Sequence, residues 1–350
     1  MYCHRMATTP AHPELGFYTL AGAPKSPRDM LAELADAEQM GLGTAFISER
    51  FNIKEAGALT GAAVAVTSNI QIVTAATNHT TRHPLVSASW ASTLHLLSEG
   101  RFSLGLGRGI DAMFNAYGMP LATTDSLEQF AHVMRRLWHG ETVMNYEDMT
   151  GKYPVLRLDP AFALDIPLSI TAFGPRTLEM AGRAYDNVIL HTFFTDETTQ
   201  RAVQTVKRAA EQAGRDPASV KVWSCLATIG DHIAPDLRLK KTVGRLATYL
   251  QAYGDLMVRT NNWDPAVLKA FRADEFVRTF PGALDAKGTT EDLERVAPLI
   301  PKEWLAPSAT GTTEQCVAAI RNQFALGCDG VIMHGATPTE LAPIVAQYAK

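Results

Sequence analysis

Two histidines, His79 and His191, are the residues of this sequence best suited to proton transfer. Each comes after a run of β-branched and apolar residues that predicts a buried strand. Histidine changes its charge near neutral pH and can therefore donate or accept a proton. Because functional residues of parallel α/β proteins lie at the carboxyl ends of strands, we expect both rings to face one site. The alternative for each is a structural histidine packed among its neighbours.

A turn that combines glycine and proline predicts an anion-binding site. It contains Phe173, Gly174, Pro175, Arg176 and Thr177. Proline suits the first turn of a helix, where its missing N–H would be unpaired anyway, and the free N–H groups there attract phosphate. An ordinary helix start is the alternative.

A second loop carries a weaker phosphate signature. Gly105, Gly107 and Gly109 are spaced as in phosphate loops, but Ile110 stands where the dinucleotide-binding fingerprint requires glycine. The sequence shows no zinc-protease, P-loop or serine-hydrolase motif, so hydrolase and NTPase functions receive little weight.

Alternating strands and helices must position these residues. Residues 71–109 show the pattern: a strand, a polar turn, a helix opened by Pro84, and a strand that runs into the glycine loop, which together predict a parallel βαβ unit. The predicted strands cover residues 15–20, 44–47, 70–76, 101–106, 168–171, 187–190, 220–229 and 330–333. Eight alternating units in 350 residues favour an α/β (β/α)8 TIM barrel, one domain over residues 1–350.

Two segments interrupt the alternation and predict insertions. The sequence predicts a β-hairpin at residues 140–160, because polar and apolar residues alternate around a Thr150-Gly151 turn. Residues 230–307 are too long for a plain loop and predict a partly helical insertion. Its aromatic residues predict a roomy, partly apolar pocket over the site; they are Trp263, Phe271, Phe276, Phe280 and Trp304.

Composition narrows the class of protein. With 46% hydrophobic and 19% charged residues, the chain can bury a large core. A net charge of −4 gives no reason to expect nucleic-acid binding, and no apolar run reaches the roughly 18 residues of a membrane span. The start, MYCHRM, does not resemble a signal peptide, and either Met1 or Met6 could be the true start. The cysteines lack CxxC spacing, which predicts reduced, buried thiols in a cytoplasmic protein; they are Cys3, Cys225, Cys316 and Cys328.

Two of the predicted helices are apolar or small nearly all round. They cover residues 56–66 and 85–97. The ring helices of a barrel should be polar outside, so we expect these two to form a homodimer interface. The alternative is that insertions of the same chain cover them.

Several of these runs together resemble the bacterial-luciferase-like superfamily. They are VTAATNHTTRHP, the helix with LLSEGRFSLGLGRG, the AFGPRTLEMAGR turn and the final GTTEQCVAAIRNQFALGCDGVIMH. Within it, the chain is most similar to the oxidoreductases that use the deazaflavin coenzyme F420. The likeness spans about Gly16 to Met333 and implies a barrel that binds the coenzyme at its C-terminal mouth.

The resemblance also implies which residues bind the coenzyme. A non-prolyl cis peptide is expected at the end of the third strand, at Thr74–Ala75, where small residues let a planar ring approach the backbone; packing between strands is the alternative. The implied coenzyme contacts are Thr74, Ala75, Thr77, Arg108 and Gly109, with the phosphate on the turn at residues 173–177.

Two positions depart from the family pattern. Glu49 and Arg50 stand where many members carry an acidic residue that touches the coenzyme and a histidine that serves as acid. Glu49 keeps the acidic character, but the guanidinium of Arg50 does not release a proton and could only pair with an anionic group. Sugar-phosphate dehydrogenases of the family have glutamate where Ile110 stands, which argues against that role. His79, His191 and Glu49 remain the catalytic candidates.

The function implied is hydride transfer between reduced F420 and an organic carbonyl, alcohol or activated alkene. The first alternative is an FMN-dependent monooxygenase of the same superfamily. The second is an F420-binding protein without turnover, which the missing acid at Arg50 and the missing glutamate at Ile110 would favour. Neither substrate nor direction of transfer can be read from the sequence.

Overall fold

Eight parallel strands close into a ring at the centre of the molecule. The computed structural model describes residues 9–21, 24 and 26–350. The strands are β1 His12–Tyr18, β2 Leu42–Ile47, β3 Gln71–Thr74, β4 Phe102–Leu106, β5 Val143–Asp148, β6 Gly151–Leu156, β7 Leu168–Thr171, β8 Asn187–Ile189, β9 Lys221–Gly230, β10 Ala309–Gly311 and β11 Gly330–His334. The ring runs β1-β2-β3-β4-β7-β8-β9-β11 and closes where β11 pairs with β1, so the predicted (β/α)8 barrel is confirmed.

Helices surround the ring and fill one insertion. They are α1 Asp29–Gln39, α2 Ala56–Val66, α3 Pro84–Leu97, α4 Asp111–Ala116, α5 Thr124–Trp138, α6 Pro175–Ala184, α7 Asp196–Gln212, α8 Pro235–Leu239, α9 Arg245–Asn261, α10 Pro265–Ala273, α11 Glu275–Thr279, α12 Leu284–Lys287, α13 Thr290–Val296, α14 Lys302–Leu305, α15 Thr313–Ala325 and α16 Pro338–Tyr348. None of the helices in the described part of the chain is both long and apolar enough to cross a bilayer.

The ring forms because its strands are apolar on both faces. Every residue of β2 and β4 is buried, as expected for parallel strands covered by helices outside and side chains inside. The barrel interior holds Phe46, Val73, Ala75, Ile189 and Ile332. Outside, α5 buries one face, and a Thr123–Ser126 capping box begins it.

The hairpin insertion is confirmed, and the helical insertion has a hydrophobic core of its own. β5 and β6 pair antiparallel, Val143 opposite Leu156. Between β9 and β10, helices α8 to α14 pack around Phe271 and Trp304, which are 1% and 4% exposed, and Trp263 stacks on Trp304 at 4.5 Å. Of the aromatic residues that the sequence analysis assigned to a substrate pocket, Phe271 and Trp304 are buried in this core, because the insertion must bury apolar surface of its own to fold. The others pack against the core and are partly buried; they are Trp263, Phe276 and Phe280.

Several boundaries and two short elements differ from the prediction. The first strand begins three residues earlier, at His12, and the third ends at Thr74 instead of residue 76. Strand β10 and helix α4 were not predicted; with three and six residues, they are too short to show a period. Three cysteines are free and buried as predicted, namely Cys225, Cys316 and Cys328, whereas Cys3 and the alternative start Met6 lie outside the described residues.

Candidate active site

A backbone bulge follows β3 at the C-terminal mouth of the barrel. Its cis peptide joins Ala75 to Ala76, one residue later than the expected Thr74–Ala75 bond. Strand β2 holds the bulge on one side, where Ala75 N–H donates to Ile47 O at 2.7 Å and Glu49 N–H donates to Ala76 O at 3.1 Å. The third strand is short because the chain leaves the ladder here. Ala75 is 3% exposed, and Ala76 is partly exposed.

The neighbouring strand β4 accommodates the bulge through its glycines. Thr74 Oγ1 accepts from Gly105 N–H at 2.7 Å and donates to Gly105 O at 2.8 Å, in place of a backbone rung. A side chain at Gly105 would place its Cβ 1.7 Å from Thr74 O, and one at Gly107 would lie 2.8 Å from Ala76 Cβ. Backbone pairing resumes at Thr77, whose N–H donates to Gly105 O at 3.0 Å. Gly105 and Gly107 therefore make room for the bulge.

Glu49 is bonded to groups of the protein on both carboxylate oxygens. Arg82 donates to Oε1 at 2.7 Å, Thr77 Oγ1 donates to Oε2 at 2.6 Å, and Ala56 N–H donates to Oε1 at 3.0 Å. The Glu49 side chain is 3% exposed. Arg82 also bonds Glu55, the N-cap of α2. Sequence reasoning gave Arg82 no role, because its carboxylate partners lie 27 and 33 positions away in the chain.

Cationic side chains stand on the β2 side of the mouth. Arg50 is exposed and opens a tight turn in which its N–H donates to Lys54 O at 3.0 Å. Lys54 is buried, and its ammonium donates to Leu20 O at 3.0 Å. Burial lowers the pKa of Lys54 to about 8, and the nearby Arg50 charge adds to the effect. An anionic group at this edge would find two cations within one turn.

The predicted phosphate turn lies at the N-terminus of α6, as expected. Gly174 is the N-cap and Pro175 occupies the first turn. No atom lies within 4 Å of the position that a Cβ on Gly174 would take, so the space over the helix start is open. Arg176 is exposed and Thr177 is buried. This ten-residue helix begins in open space, so the unpaired backbone N–H groups of its first turn can bind an anion.

The loop after β4 lies beside that turn in the order of strands. β4 pairs directly with β7, whose end leads to Phe173. Arg108 and Gly109 are exposed, and Gly109 has a φ of +75°, which favours glycine. The predicted contacts at residues 108–109 and 173–177 therefore follow adjacent strands at the same mouth.

His191 follows β8 and lies in an aromatic group under the helical insertion. Its Nδ1 is 2.9 Å from Thr192 O and its Nε2 is 3.0 Å from the Tyr253 hydroxyl. The rings of Phe173 and Tyr249 lie 4.5 Å and 4.9 Å from the imidazole. Burial lowers the pKa of His191 to about 4, so the ring is neutral at pH 7. The sequence analysis did not identify Tyr249 and Tyr253. Their spacing of four residues, which puts both on one face of a helix, is the signal that could have identified them.

His79 lies in a different environment from His191. Its ring is 1% exposed and packs at 5.3 Å against Phe130 of α5, between the barrel and the helix layer. Neither ring nitrogen has a hydrogen-bond partner among the described residues. Burial lowers the pKa of His79 to about 4, opposed in part by Asp148 of the hairpin. The structure thus places His191 beside aromatic residues of the insertion and His79 against Phe130 of the helix layer.

The sequence profile of the luciferase-like monooxygenases matches residues 8–330 of the chain. The chain belongs to this family. A 5,10-methylenetetrahydromethanopterin reductase of Methanolobus tindarius is 28% identical over 305 residues, which cover 85% of this chain and 86% of the relative. This luciferase-like protein is therefore an oxidoreductase.

Solved structures of the family share the fold. The coenzyme F420-dependent tetrahydromethanopterin reductase of Methanopyrus kandleri superposes with a TM-score of 0.80 at 20% identity, over 97% of this chain and 100% of that one. An F420-dependent secondary alcohol dehydrogenase, solved with an F420-acetone adduct, has a TM-score of 0.71 at 18% identity, over 99% and 98% of the two chains. At these identities the comparison establishes the barrel fold.

Proposed function

We propose that this protein is an F420-dependent oxidoreductase that transfers a hydride between reduced coenzyme F420 and an organic carbonyl, alcohol or activated alkene. The observation that carries the proposal is the small-residue segment Ala75–Ala76 after β3, which hydrogen bonds to Ile47 and Glu49 and the glycines of β4 hold at the barrel mouth. The reductase of Methanolobus tindarius and the two F420-dependent enzymes with this fold support the choice.

The residues at the mouth fit a planar coenzyme with an anionic tail. In this proposal the ring would rest on the small-residue segment of Thr74, Ala75 and Thr77, and the absence of a side chain at Gly107 leaves room for Ala76. The open helix start at Gly174 would receive the phosphate. Exposed guanidinium groups at Arg50, Arg108 and Arg176 would meet the tail.

The bound coenzyme would supply the hydride, and the chain would position the substrate and manage the proton. Arg50 cannot release a proton. The position of His191 under the insertion, with both ring nitrogens hydrogen-bonded, supports it as the residue that handles the proton. Glu49 would act through the bulge, because its carboxylate is occupied by Arg82, Thr77 and Ala56. We assign the proton to His191 and the backbone support to Glu49.

Binding of the two candidate coenzymes tests the proposal. The purified protein is titrated with F420 and with FMN while coenzyme fluorescence is followed. We expect saturable F420 binding that is weakened by Gly174→Glu, which places a carboxylate at the phosphate turn. Tight FMN binding without F420 binding would instead establish the monooxygenase alternative.

Turnover separates an enzyme from a binding protein. Reduced F420 is mixed with a panel of ketones and enones, and oxidised F420 with secondary alcohols. We expect coenzyme consumption above the blank for at least one class. F420 binding with no consumption across the panel would favour a non-catalytic role, which Arg50 and Ile110 are compatible with.

We also propose a cytoplasmic homodimer that associates through α2 and α3. The outer faces of these helices expose apolar side chains that no part of the described chain covers: Val66, Val86, Leu96 and Leu97 are between 49% and 65% exposed. Apolar faces of this kind on adjacent helices mark association surfaces. The hairpin insertion reaches the start of α3, where Tyr153 lies 4.6 Å from His83, but it leaves Val86, Leu96 and Leu97 exposed.

A further inference from the structure

The hydrogen bonds of His191 define which of its nitrogens carries the proton. Thr192 O lies 2.9 Å from Nδ1, and a carbonyl oxygen can only accept, so Nδ1 must hold a hydrogen. In the neutral ring, Nε2 is then an acceptor. The Tyr253 hydroxyl, 3.0 Å away, must donate to it. Both polar atoms of the imidazole are therefore satisfied only in this one arrangement.

Tyr253 is held in place from two sides. Its ring stacks on Tyr249 at 5.4 Å, one helical turn away, and lies 6.2 Å from Phe173. It is also the residue at which α9 departs from helical geometry, with φ −152° and ψ 34°. The kink therefore lies at the residue that bonds His191.

The loop that carries His191 is attached to the same helix. Asn261, the last residue of α9, donates from Nδ2 to Phe193 O at 2.9 Å and accepts at Oδ1 from Thr195 N–H at 3.2 Å. The insertion and the end of β8 are thus joined at the base of α9 as well as through Tyr253. This double attachment holds the distance between the imidazole and the phenol.

We propose that Tyr253 is a catalytic residue that relays a proton between the substrate oxygen and His191 Nε2, and that its hydroxyl, by donating to Nε2, favours the Nδ1–H form of the neutral ring. The proposal rests on the proposed function for its substrate, and on the chain alone for the state of His191. When an alcohol is oxidised, its C–H bond breaks and the hydride passes to the oxidised coenzyme. The alcohol O–H proton moves to Tyr253 oxygen while the Tyr253 proton moves to Nε2, which leaves a ketone and an imidazolium. Ketone reduction reverses each transfer.

The surroundings of His191 explain why this proton would be returned readily. The titratable groups around it are Tyr249 and Tyr253 of α9 and His334 of β11, with Cys225 and Arg245 behind them. The carboxylate of this group, Asp285, is paired with Arg245 at 2.7 Å, and no carboxylate among the described residues bonds the His191 ring. A buried imidazolium without a carboxylate partner is unfavourable. The charged ring is therefore a strong acid toward an alkoxide.

The first test uses the protein without coenzyme. Two-dimensional NMR of histidine-labelled protein reports the tautomer and the pKa of His191, assigned with His191→Gln. In the wild type we expect the Nδ1–H form. In Tyr253→Phe we expect the His191 pKa to rise by about 0.5 to 1 pH unit, because the hydroxyl that stabilised the neutral ring is gone. Tyr249→Phe is the matched control and should leave the pKa closer to that of the wild type. An Nε2–H tautomer, or an unchanged pKa in Tyr253→Phe, would overturn the proposal.

The second test uses turnover and separates the two proposals. In Tyr253→Phe we expect kcat for alcohol oxidation to fall about tenfold or more with KM little changed, and the acid limb of the pH profile to move to higher pH. Tyr253→Met also fills the space but has no hydroxyl. It should show the same fall in kcat as Tyr253→Phe if the hydroxyl is required. If Tyr249→Phe changes kcat and KM as much as Tyr253→Phe does, Tyr253 has a packing role instead. If the NMR result holds and no F420 turnover exists, the proposed function fails and the tautomer assignment stands.

Discussion

Arg82 holds the carboxylate of Glu49 at the bulge. Its two terminal nitrogens lie 2.7 Å and 3.3 Å from the two Glu49 oxygens, and its guanidinium stacks 5.0 Å from the Trp90 ring. The same guanidinium donates to Thr77 Oγ1 at 2.7 Å. The start of α2, the start of α3 and the residue after the cis peptide are thus tied together by one side chain. The segment proposed to support the coenzyme and the helices proposed to form the dimer interface are both attached to this cluster.

Removal of Arg82 should destabilise the fold, because the carboxylate of Glu49 then stays buried without its cationic partner. In Arg82→Gln we expect the free energy of unfolding to fall by about 3 kcal/mol. The double variant with Glu49→Gln should lose less than the sum of the single variants, since the pair is then removed together. Chemical denaturation measures both. Arg136→Gln is the control, since its partner Glu141 is half exposed and such pairs contribute less than about 1 kcal/mol. Equal losses for Arg82→Gln and Arg136→Gln would refute this reading.

A methyl group at Gly105 should disturb the bulge. Its Cβ would stand 1.7 Å from Thr74 O, so the backbone of β3 or β4 must shift. We expect Gly105→Ala to lose about 3 kcal/mol or more of stability and to bind coenzyme weakly. Gly61→Ala in α2, where no atom lies within 4 Å, is the control and should be neutral or stabilising by about 1 kcal/mol. Unchanged stability and binding in Gly105→Ala would show that the bulge does not need this glycine.

A charge on the exposed apolar face of α3 should prevent association. Leu97 is 65% exposed in the single chain, so Leu97→Glu should fold normally as a monomer. Light scattering should give twice the chain mass of 38.0 kDa for the wild type and one chain mass for the variant. Leu237→Glu on α8, at 41% exposure, should remain dimeric. A monomeric wild type at micromolar concentration would exclude the interface.

Mild acid should destabilise the fold through its buried histidines. The pKa of His79 falls from 6.5 to about 4 on burial, so between these values the unfolded chain binds the proton and the folded chain does not. The free energy of unfolding therefore decreases as pH falls through this window, by about 2 kcal/mol from pH 7 to pH 5 for one such histidine.

The comparison of variants isolates that contribution. His79→Leu should lose less stability than the wild type over the same pH interval, measured by urea unfolding at pH 7 and pH 5. His132→Gln, at an exposed position of α5, should follow the wild type. An identical pH dependence for wild type and His79→Leu would show that His79 takes up its proton in the folded state.

The barrel could be predicted because its signals are local. Strand and helix periods, Pro84 at a helix start and Gly174-Pro175 before α6 are each encoded within a few residues, and the structure agrees with them. The hairpin at β5–β6 was recognisable for the same reason. Short elements such as α4 and β10 have too few residues to show a helix or strand period in the sequence. Their conformation depends on the neighbouring elements.

The contacts of the site depended on residues far apart in the chain. Glu49 meets Arg82 33 positions away, and His191 meets Tyr253 62 positions away. Aromatic content alone did not separate Phe271 and Trp304, which are buried in the core of the insertion, from Tyr249 and Tyr253, which contact His191. The sequence by itself determined the barrel, since periodic burial is a local property; only the tertiary structure decided which charged and aromatic side chains meet, because closing the ring brings distant loops to one mouth.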